Sequence, residues 1–385
     1  MTIFKKIKTD MKNQDKKIER CNLTRQVNAL LPQYIEEVTN IFQSGKYVLG
    51  HKLQMFERTF AQYVGTTYGV GVASGTDALY LSLRVLDIGM GDEVITTPFT
   101  AVPTISAIIM TGAKPIFADV DPDTFTIAPE SIEKVITKHT KAIIPVHLYG
   151  LMADMNAIMN IGNRYSIPII EDAAQAHGSS LNDRQAGSIG LMGCFSFYPT
   201  KNLGGFGDGG LITTNNKQIF DKLILLRNYG QTSPYTTIIN GVNTRLDEIQ
   251  AALLLIKLPY LDAWNQRRNE IANIYTQRLT IPDVKVPVLP QQYKSNYHIF
   301  TITAERRDAL WRYLEDNAIQ SNVYYPIPNH LQESNKYLGY KKGDFPVAES
   351  LSDSVIALPM FPELEDEEVN IVIDRIHEFY GYDIG

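Results

Sequence analysis

The side chains in this sequence that could do chemistry gather in three stretches. The run 195–212, FSFYPTKNLGGFGDGGLI, presents one lysine, Lys201, after an apolar alternating segment that breaks at Pro199 and before a series of glycines. A protonated amine is a poor nucleophile, and it gains reactivity when burial or a nearby positive charge lowers its pKa. Lys201 is therefore either a solvated loop lysine or an amine held where the backbone comes close to a ligand. A second stretch, EDAAQAHG, ends an apolar strand at 168–171 and carries Asp172, Gln175 and His177. An acidic residue there caps a helix, ligates a metal or pairs with a buried cation. Metal is the weakest of these, because the seven histidines show no HxH or HExxH pairing. The third stretch, Ser74-Gly75-Thr76-Asp77, opens an apolar helical segment. Free N–H groups beside a hydroxyl form an anion site there, or else a plain N-cap.

Taken together, the three stretches fit pyridoxal phosphate (PLP). This cofactor needs a lysine for its Schiff base and a carboxylate that keeps its ring nitrogen protonated. Lys201 and Asp172 on neighbouring strand ends meet those needs, with Ser74-Gly75-Thr76 on the phosphate. A rival pattern, Gly205-x-Gly207-x-x-Gly210, matches the dinucleotide fingerprint GxGxxG. Its glycines precede a strand instead of joining a strand to a helix, so the context fails.

The elements that must position these residues alternate regularly. Strands are expected at 68–73, 93–97, 115–119, 142–147, 168–171, 194–197 and 210–214, with helices at 78–86, 104–111, 129–138 and 154–165 between them. Such alternation argues a mainly parallel sheet covered on both faces, with ligands at the strands' C-terminal ends, where His147, Asp172 and Gln175 fall. Helices at 245–256 and 264–279 lead into a smaller α+β unit with segments at 297–303, 306–317, 323–325 and 366–380. We expect a flexible extension over residues 1–20, a large domain over 21–260 and a small C-terminal domain over 261–385. The chain has 385 residues, 44% hydrophobic and 20% charged, with a net charge of −6. That balance gives no basic face for nucleic acid. Two cysteines without CxxC spacing exclude a cysteine zinc site and give no disulfide framework. No apolar run reaches a membrane span, and the N-terminus lacks a signal-peptide core, so a cytoplasmic protein is expected.

SGKYVLG, ASGTDAL, FADVDPDTFTI, IIPVHLYG, EDAAQAHG, FSFYPTKNLGGFGDGG, LRNYG and NTRLDEIQAALL resemble the DegT-type nucleotide-sugar aminotransferases, a branch of the fold-type-I PLP enzymes. The likeness runs from about residue 21 to the C-terminus. It implies an α/β/α large domain, a small α+β domain, L-glutamate as amino donor and a homodimer whose two active sites are each completed by the partner. It also implies roles for individual residues. Lys201 matches the Schiff-base lysine, Asp172 the ring-nitrogen partner and Gln175 the group near the cofactor hydroxyl. Gly75, Thr76 and Ser196 match phosphate contacts, and Asn243 the asparagine that reaches the partner subunit's phosphate. Tyr47, His147, His177, Arg245 and His330 are the substrate-side candidates. His177 serves equally as a satisfied histidine behind the site, Arg245 as a partner of Asp247 or Glu248, and His330 as a turn cap.

One position departs from the family. Ala101 stands where relatives carry an aromatic that stacks on the cofactor, and we expect Phe99, or next Val102, to lean over the ring instead. Within the family the chain most resembles enzymes that aminate carbon 3 of dTDP-3-keto-6-deoxyhexoses. The alternatives are amination at carbon 4 of a UDP- or dTDP-4-keto sugar, or a sugar dehydratase. That last branch has His in place of the lysine, and Lys201 is present. A non-enzymatic regulator on the same fold is a third possibility.

Overall fold

The structure, a computed structural model, describes residues 17–382. Seven strands build the central sheets of the large unit: β1 (Tyr68–Val72), β2 (Glu93–Thr96), β3 (Lys114–Phe117), β4 (Thr140–Ile143), β5 (Ile170–Asp172), β6 (Met192–Ser196) and β7 (Gly210–Thr214). A four-stranded sheet, β1-β7-β6-β5, and a three-stranded one, β3-β2-β4, are joined by parallel bridges from Ile143 to Ile169 and from Val146 to Asp172. Among these strands only β7 runs antiparallel to its neighbours. The expected parallel sheet thus carries one reversed strand, because β7 returns directly from the glycine loop instead of crossing over through a helix.

Side-chain alternation divides each strand between two cores. Ile95, Ile143, Phe195 and Leu211 face one, together with Leu53, Phe56 and Phe60 of a helix at His51–Val64. Val94, Ala142, Ile144, Cys194 and Ile212 face the other, against the helix at Gly75–Arg84. The glycines of β1 let the first of these helices lie close. A Cβ at Gly69 would come 2.6 Å from the Glu57 carbonyl oxygen, and one at Gly71 would meet Leu53 at 2.6 Å.

The helix Leu261–Arg278 leaves the large unit and enters the small one. Leu261 packs in the first core, while Ile271, Ala272 and Tyr275 pack in a separate core. That second core is closed by an antiparallel sheet of Val284–Lys285, Phe300–Ala304 and Val355–Leu358, and by helices Arg307–Asp316 and Asp366–Tyr380. The extension expected over 1–20 ends earlier: Ile18 is buried and bridges Ile319, so the chain joins the small unit there. Residues 1–16 lie outside the described residues. The segment at 323–325 forms neither strand nor helix. The sheet takes only Asn322, paired with Ala357, and Tyr325 turns toward Gln175.

Candidate active site

Strand ends and one helix N-terminus meet in a cavity of about 290 Å³ whose walls include Gly75, Thr76, Ala101, Thr104, Asp172, Gln175, Ser196 and Lys201. The approach of these elements depends on glycine. A Cβ at Gly75 would lie 2.7 Å from Ser196 Cβ, and one at Gly210 would lie 2.2 Å from the Ser74 carbonyl oxygen. Ser74 caps the helix by accepting from the Asp77 N–H at 3.1 Å, and it donates to the Asp77 carboxylate at 2.7 Å. The Ser74 hydroxyl is thereby committed to the cap. The first N–H groups of the helix, with Thr76 and Ser196, border the cavity, an arrangement that could hold an anion.

The lysine sits in a tight turn. Its N–H donates to the Tyr198 carbonyl at 2.8 Å, and the Gly205 N–H to that of Phe197 at 2.8 Å. A side chain at Gly204 would approach the Pro199 carbonyl oxygen to 2.1 Å. Burial lowers the Lys201 amine to about 8, partly opposed by the Asp172 carboxylate. At neutral pH an appreciable fraction is therefore the free base. Asp172 is raised by burial, even though Thr104 Oγ1 donates to it at 2.8 Å, the Ala174 N–H at 3.2 Å, and Lys201 draws it down. A cationic ring nitrogen opposite this carboxylate would offset that desolvation, so the donor set fits a pyridinium with a phosphate. Gln175 accepts from the Tyr149 N–H at 2.8 Å and donates to the Tyr325 hydroxyl at 3.1 Å, which fixes its amide.

The substrate-side candidates are not brought into this cavity. His147 is fully buried: Nε2 meets Glu171 at 2.8 Å and Nδ1 accepts from the Ala153 N–H at 3.2 Å. Successive strand residues point to opposite faces, so Glu171 and its histidine lie away from Asp172. His177 is likewise buried, among Phe60, Phe195 and Phe197 with ring centroids 5.4–6.3 Å away. Neither of its ring nitrogens has a side-chain partner, and the Ser196 backbone beside the ring only partly offsets its burial. Burial, then the Lys201 charge, holds its pKa down to about 3, so it stays neutral. His330 packs on Phe345 and meets Glu349 at 2.9 Å, inside the small unit. In this chain His147 and His330 are held by carboxylates and His177 by aromatic rings, the place behind the site that the sequence also allowed for His177. Tyr47 and Asn243 are exposed outside the cavity. Arg245 donates to Asn228 at 2.9 Å and shows no bond to Asp247 or Glu248.

The expected replacement over Ala101 is also corrected. Phe99 is fully buried, packed edge-on against Tyr149 and Tyr325 at 6.4 Å, and Val102 is exposed. The Phe99 N–H bonds to Thr97 Oγ1 at 3.0 Å, which fixes the backbone so that the ring turns into the core. The wall beside Ala101 is therefore made of Thr100, Pro103 and Thr104. Sequence reasoning missed Thr104 and Tyr325. Each reaches the site from an element distant in sequence, Thr104 by its bond to Asp172 and Tyr325 by its bond to Gln175. Among the described residues no cluster of His, Cys, Asp and Glu is placed to hold a metal ion, and no helix is long and apolar enough to cross a membrane.

The chain is 44% identical over 359 residues to a dTDP-3-amino-3,6-dideoxy-alpha-D-galactopyranose transaminase of Aneurinibacillus thermoaerophilus, covering 93% of this chain and 98% of that one. It is 42% identical to a UDP-N-acetyl-3-dehydro-alpha-D-glucosamine 3-aminotransferase of Acidithiobacillus ferrooxidans, covering 92% and 96%. It is also 42% identical to a protein of Geobacillus stearothermophilus named a pleiotropic regulatory protein, covering 94% and 98%. The crystal structure of S. venezuelae DesV in complex with a ketimine intermediate superposes with a TM-score of 0.93 at 40% identity, covering 94% of this chain and 98% of that one. Residues 30–377 match the DegT/DnrJ/EryC1/StrS aminotransferase family, and the chain belongs to that family.

Proposed function

We propose that this protein is a PLP-dependent aminotransferase that moves an amino group from L-glutamate to carbon 3 of a nucleotide-linked keto sugar, a dTDP-3-keto-6-deoxyhexose first. The observation that carries this reading is one cavity shared by a buried amine of lowered proton affinity, a buried carboxylate and a helix N-terminus. PLP supplies an electron sink and a carbonyl with which amines condense.

The chain's own residues have separable tasks. Gly75, Thr76 and Ser196 would hold the phosphate, Asp172 would keep the ring nitrogen protonated, and Gln175 would sit beside the ring hydroxyl. Lys201 would anchor the cofactor. When displaced, its amine would act as the base that takes a proton from the donor's α-carbon and returns it to the product side. Thr104 holds Asp172 in place. Asn243, exposed and outside this chain's cavity, fits a contact with the phosphate in a partner subunit, which makes the working unit a homodimer. Tyr47 and Arg245 are then left for the nucleotide sugar at that shared edge. The two free cysteines fit a reducing compartment such as the cytoplasm.

Amination at carbon 3 is supported by the names of both transaminase relatives, whereas their nucleotides differ. A regulatory reading is suggested by the name of the Geobacillus relative. Lys201 at the cavity edge beside Asp172, with its lowered proton affinity, favours the enzyme. Incubation with glutamate and a panel of dTDP- and UDP-linked 3-keto and 4-keto sugars, read by mass spectrometry, tests the proposal. A 3-amino dTDP sugar is expected, and amination of only 4-keto sugars would overturn the carbon-3 assignment.

A further inference from the structure

Behind the cavity lies a polar network that the chemistry above does not use. Asn202, the residue after Lys201, is 4% exposed. Its Nδ2 donates to the Asn296 carbonyl at 2.9 Å and to Asn265 Oδ1 at 2.8 Å. The backbone carbonyl settles which end of the Asn202 amide is nitrogen. Its Oδ1 must then accept, so the contact at 3.1 Å makes His298 Nδ1 the donor. Asn265 is oriented the same way, because its Nδ2 donates to the His177 carbonyl at 2.8 Å. Asn296 donates to the Gln175 and His177 carbonyls, both at 3.1 Å, and accepts from the His298 N–H at 3.0 Å. Every amide is thus fixed by a main-chain group, and Asn265 and Asn296 are themselves buried.

The network connects parts that are far apart in sequence. One end is the turn that carries Lys201. Another is the loop that carries Asp172 and Gln175. The rest comes from the linking helix Leu261–Arg278 and the segment 295–298 leading into the small sheet. Fit is tight throughout: a Cβ at Gly150 would fall 1.9 Å from Asn296 Oδ1, and one at Gly178 would fall 2.7 Å from Asn265 Nδ2.

We propose that Asn202, Asn265 and Asn296 form a buried spacer that sets the Lys201 turn against the Asp172–Gln175 loop, with Asn202 as the positioning residue for the Lys201 amine. This rests on the reading of Lys201 as the reactive amine. The charged and titratable groups acting on that amine or feeling its charge are Asp172, His177 and His298. Of these, Asp172 alone carries charge while the imidazoles are held neutral by burial. Removing the Asn202 amide leaves the His298 donor and the Asn296 carbonyl without partners. Water then enters beside Lys201, and the cost of charging the amine falls.

The test is the pH dependence of PLP capture by the full-length chain freed of cofactor, followed by visible absorbance, for wild type, Asn202→Ala and Asn265→Ala. Thermal unfolding is measured in parallel. The wild-type rate should rise with a midpoint near the amine value of about 8. In Asn202→Ala the midpoint should move up by about one pH unit, a tenfold loss of free amine at a given pH. Asn265→Ala removes one bond of the same amide and should move it in the same direction by less. If Asn202→Ala does not fold, the shift in Asn265→Ala decides the matter. Midpoints unchanged in folded variants, with only the unfolding temperature lowered, would overturn the proposal and leave the network a packing device. A wild-type chain that captures no PLP at any pH would instead refute the reading of Lys201.

Discussion

Among the described residues two lysine amines, Lys201 and Lys257, are lowered to about 8 by desolvation, yet their surroundings differ. Lys201 borders the cavity and is drawn back up by Asp172. Lys257 lies outside it. Its amine donates to the Gly204 carbonyl at 2.6 Å, and it sits over the rings of Phe206 and Trp264 at 5.7 and 5.8 Å. Lys257 thus braces the glycine loop that follows Lys201, and the aromatic faces supply part of what water would have given its charge. The comparison shows that a depressed amine pKa reports desolvation, and that chemistry needs access to a ligand as well.

The pair of substitutions that separates the two lysines should have the largest effect. Lys201→Ala should lower transamination by about 10⁴-fold or more with the fold intact. Lys257→Met should leave the rate within a few-fold and cost about 1–2 kcal/mol of stability, as one hydrogen bond and the ring contacts are lost. Equal losses of rate in the two variants, measured with unfolding curves, would break the comparison.

A second experiment asks whether the two regions differ in needing a partner. Lys257 finds Gly204, Phe206 and Trp264 in its own chain, whereas the proposed function has Asn243, which lies outside this chain's Lys201 cavity, serve the cavity of a partner subunit. Mixing Lys201→Ala and Asn243→Ala subunits should create heterodimers with one intact site, and an equal mixture should recover about a quarter of wild-type activity. Heterodimers that form without recovery would place Asn243 outside the site.

A third buried group extends the same physics to stability, with no effect at neutral pH. The folded-state pKa of His177 is lowered to about 3 from 6.5. Above pH 6.5 both states are neutral and folding carries no penalty from this group. As pH falls toward 3 the unfolded chain takes up the proton first, so stability is lost at up to about 1.4 kcal/mol per pH unit. His177→Phe should flatten that share of the acid slope, and an unchanged slope in pH-dependent denaturation would contradict the assignment of a buried neutral imidazole.

Much of this was legible in the sequence because the signals were local. Strand Gly210–Thr214 and helix Asp366–Tyr380 fall where alternation and helical spacing put them. The residues lining the cavity from the ASGTDAL, EDAAQAHG and YPTKN stretches are neighbours of turns that sequence can mark. What was not legible depends on pairing across the fold. The reversal of β7, the ring of Phe99 turned inward and the bond from Thr104 to Asp172 are all set by distant elements. His147 drew attention by its place at a strand end. Its side chain points to the opposite face, which periodicity could have shown once Glu171 was seen to alternate with Asp172. Asn265, Asn296 and Lys257 carry no motif, and Asn202 follows Lys201 in YPTKN without any sign of its distant partners.

The most direct test of the central claim, that Lys201 holds PLP in a glutamate-fed transaminase, is the absorption spectrum of the purified protein before and after L-glutamate is added. A visible band from lysine-bound cofactor should convert to the near-ultraviolet band of pyridoxamine phosphate in the wild type, with release of 2-oxoglutarate. Lys201→Ala should lack the initial lysine-bound band. A wild-type protein that shows no cofactor band after PLP is supplied, or a band that glutamate leaves unchanged, would contradict the account.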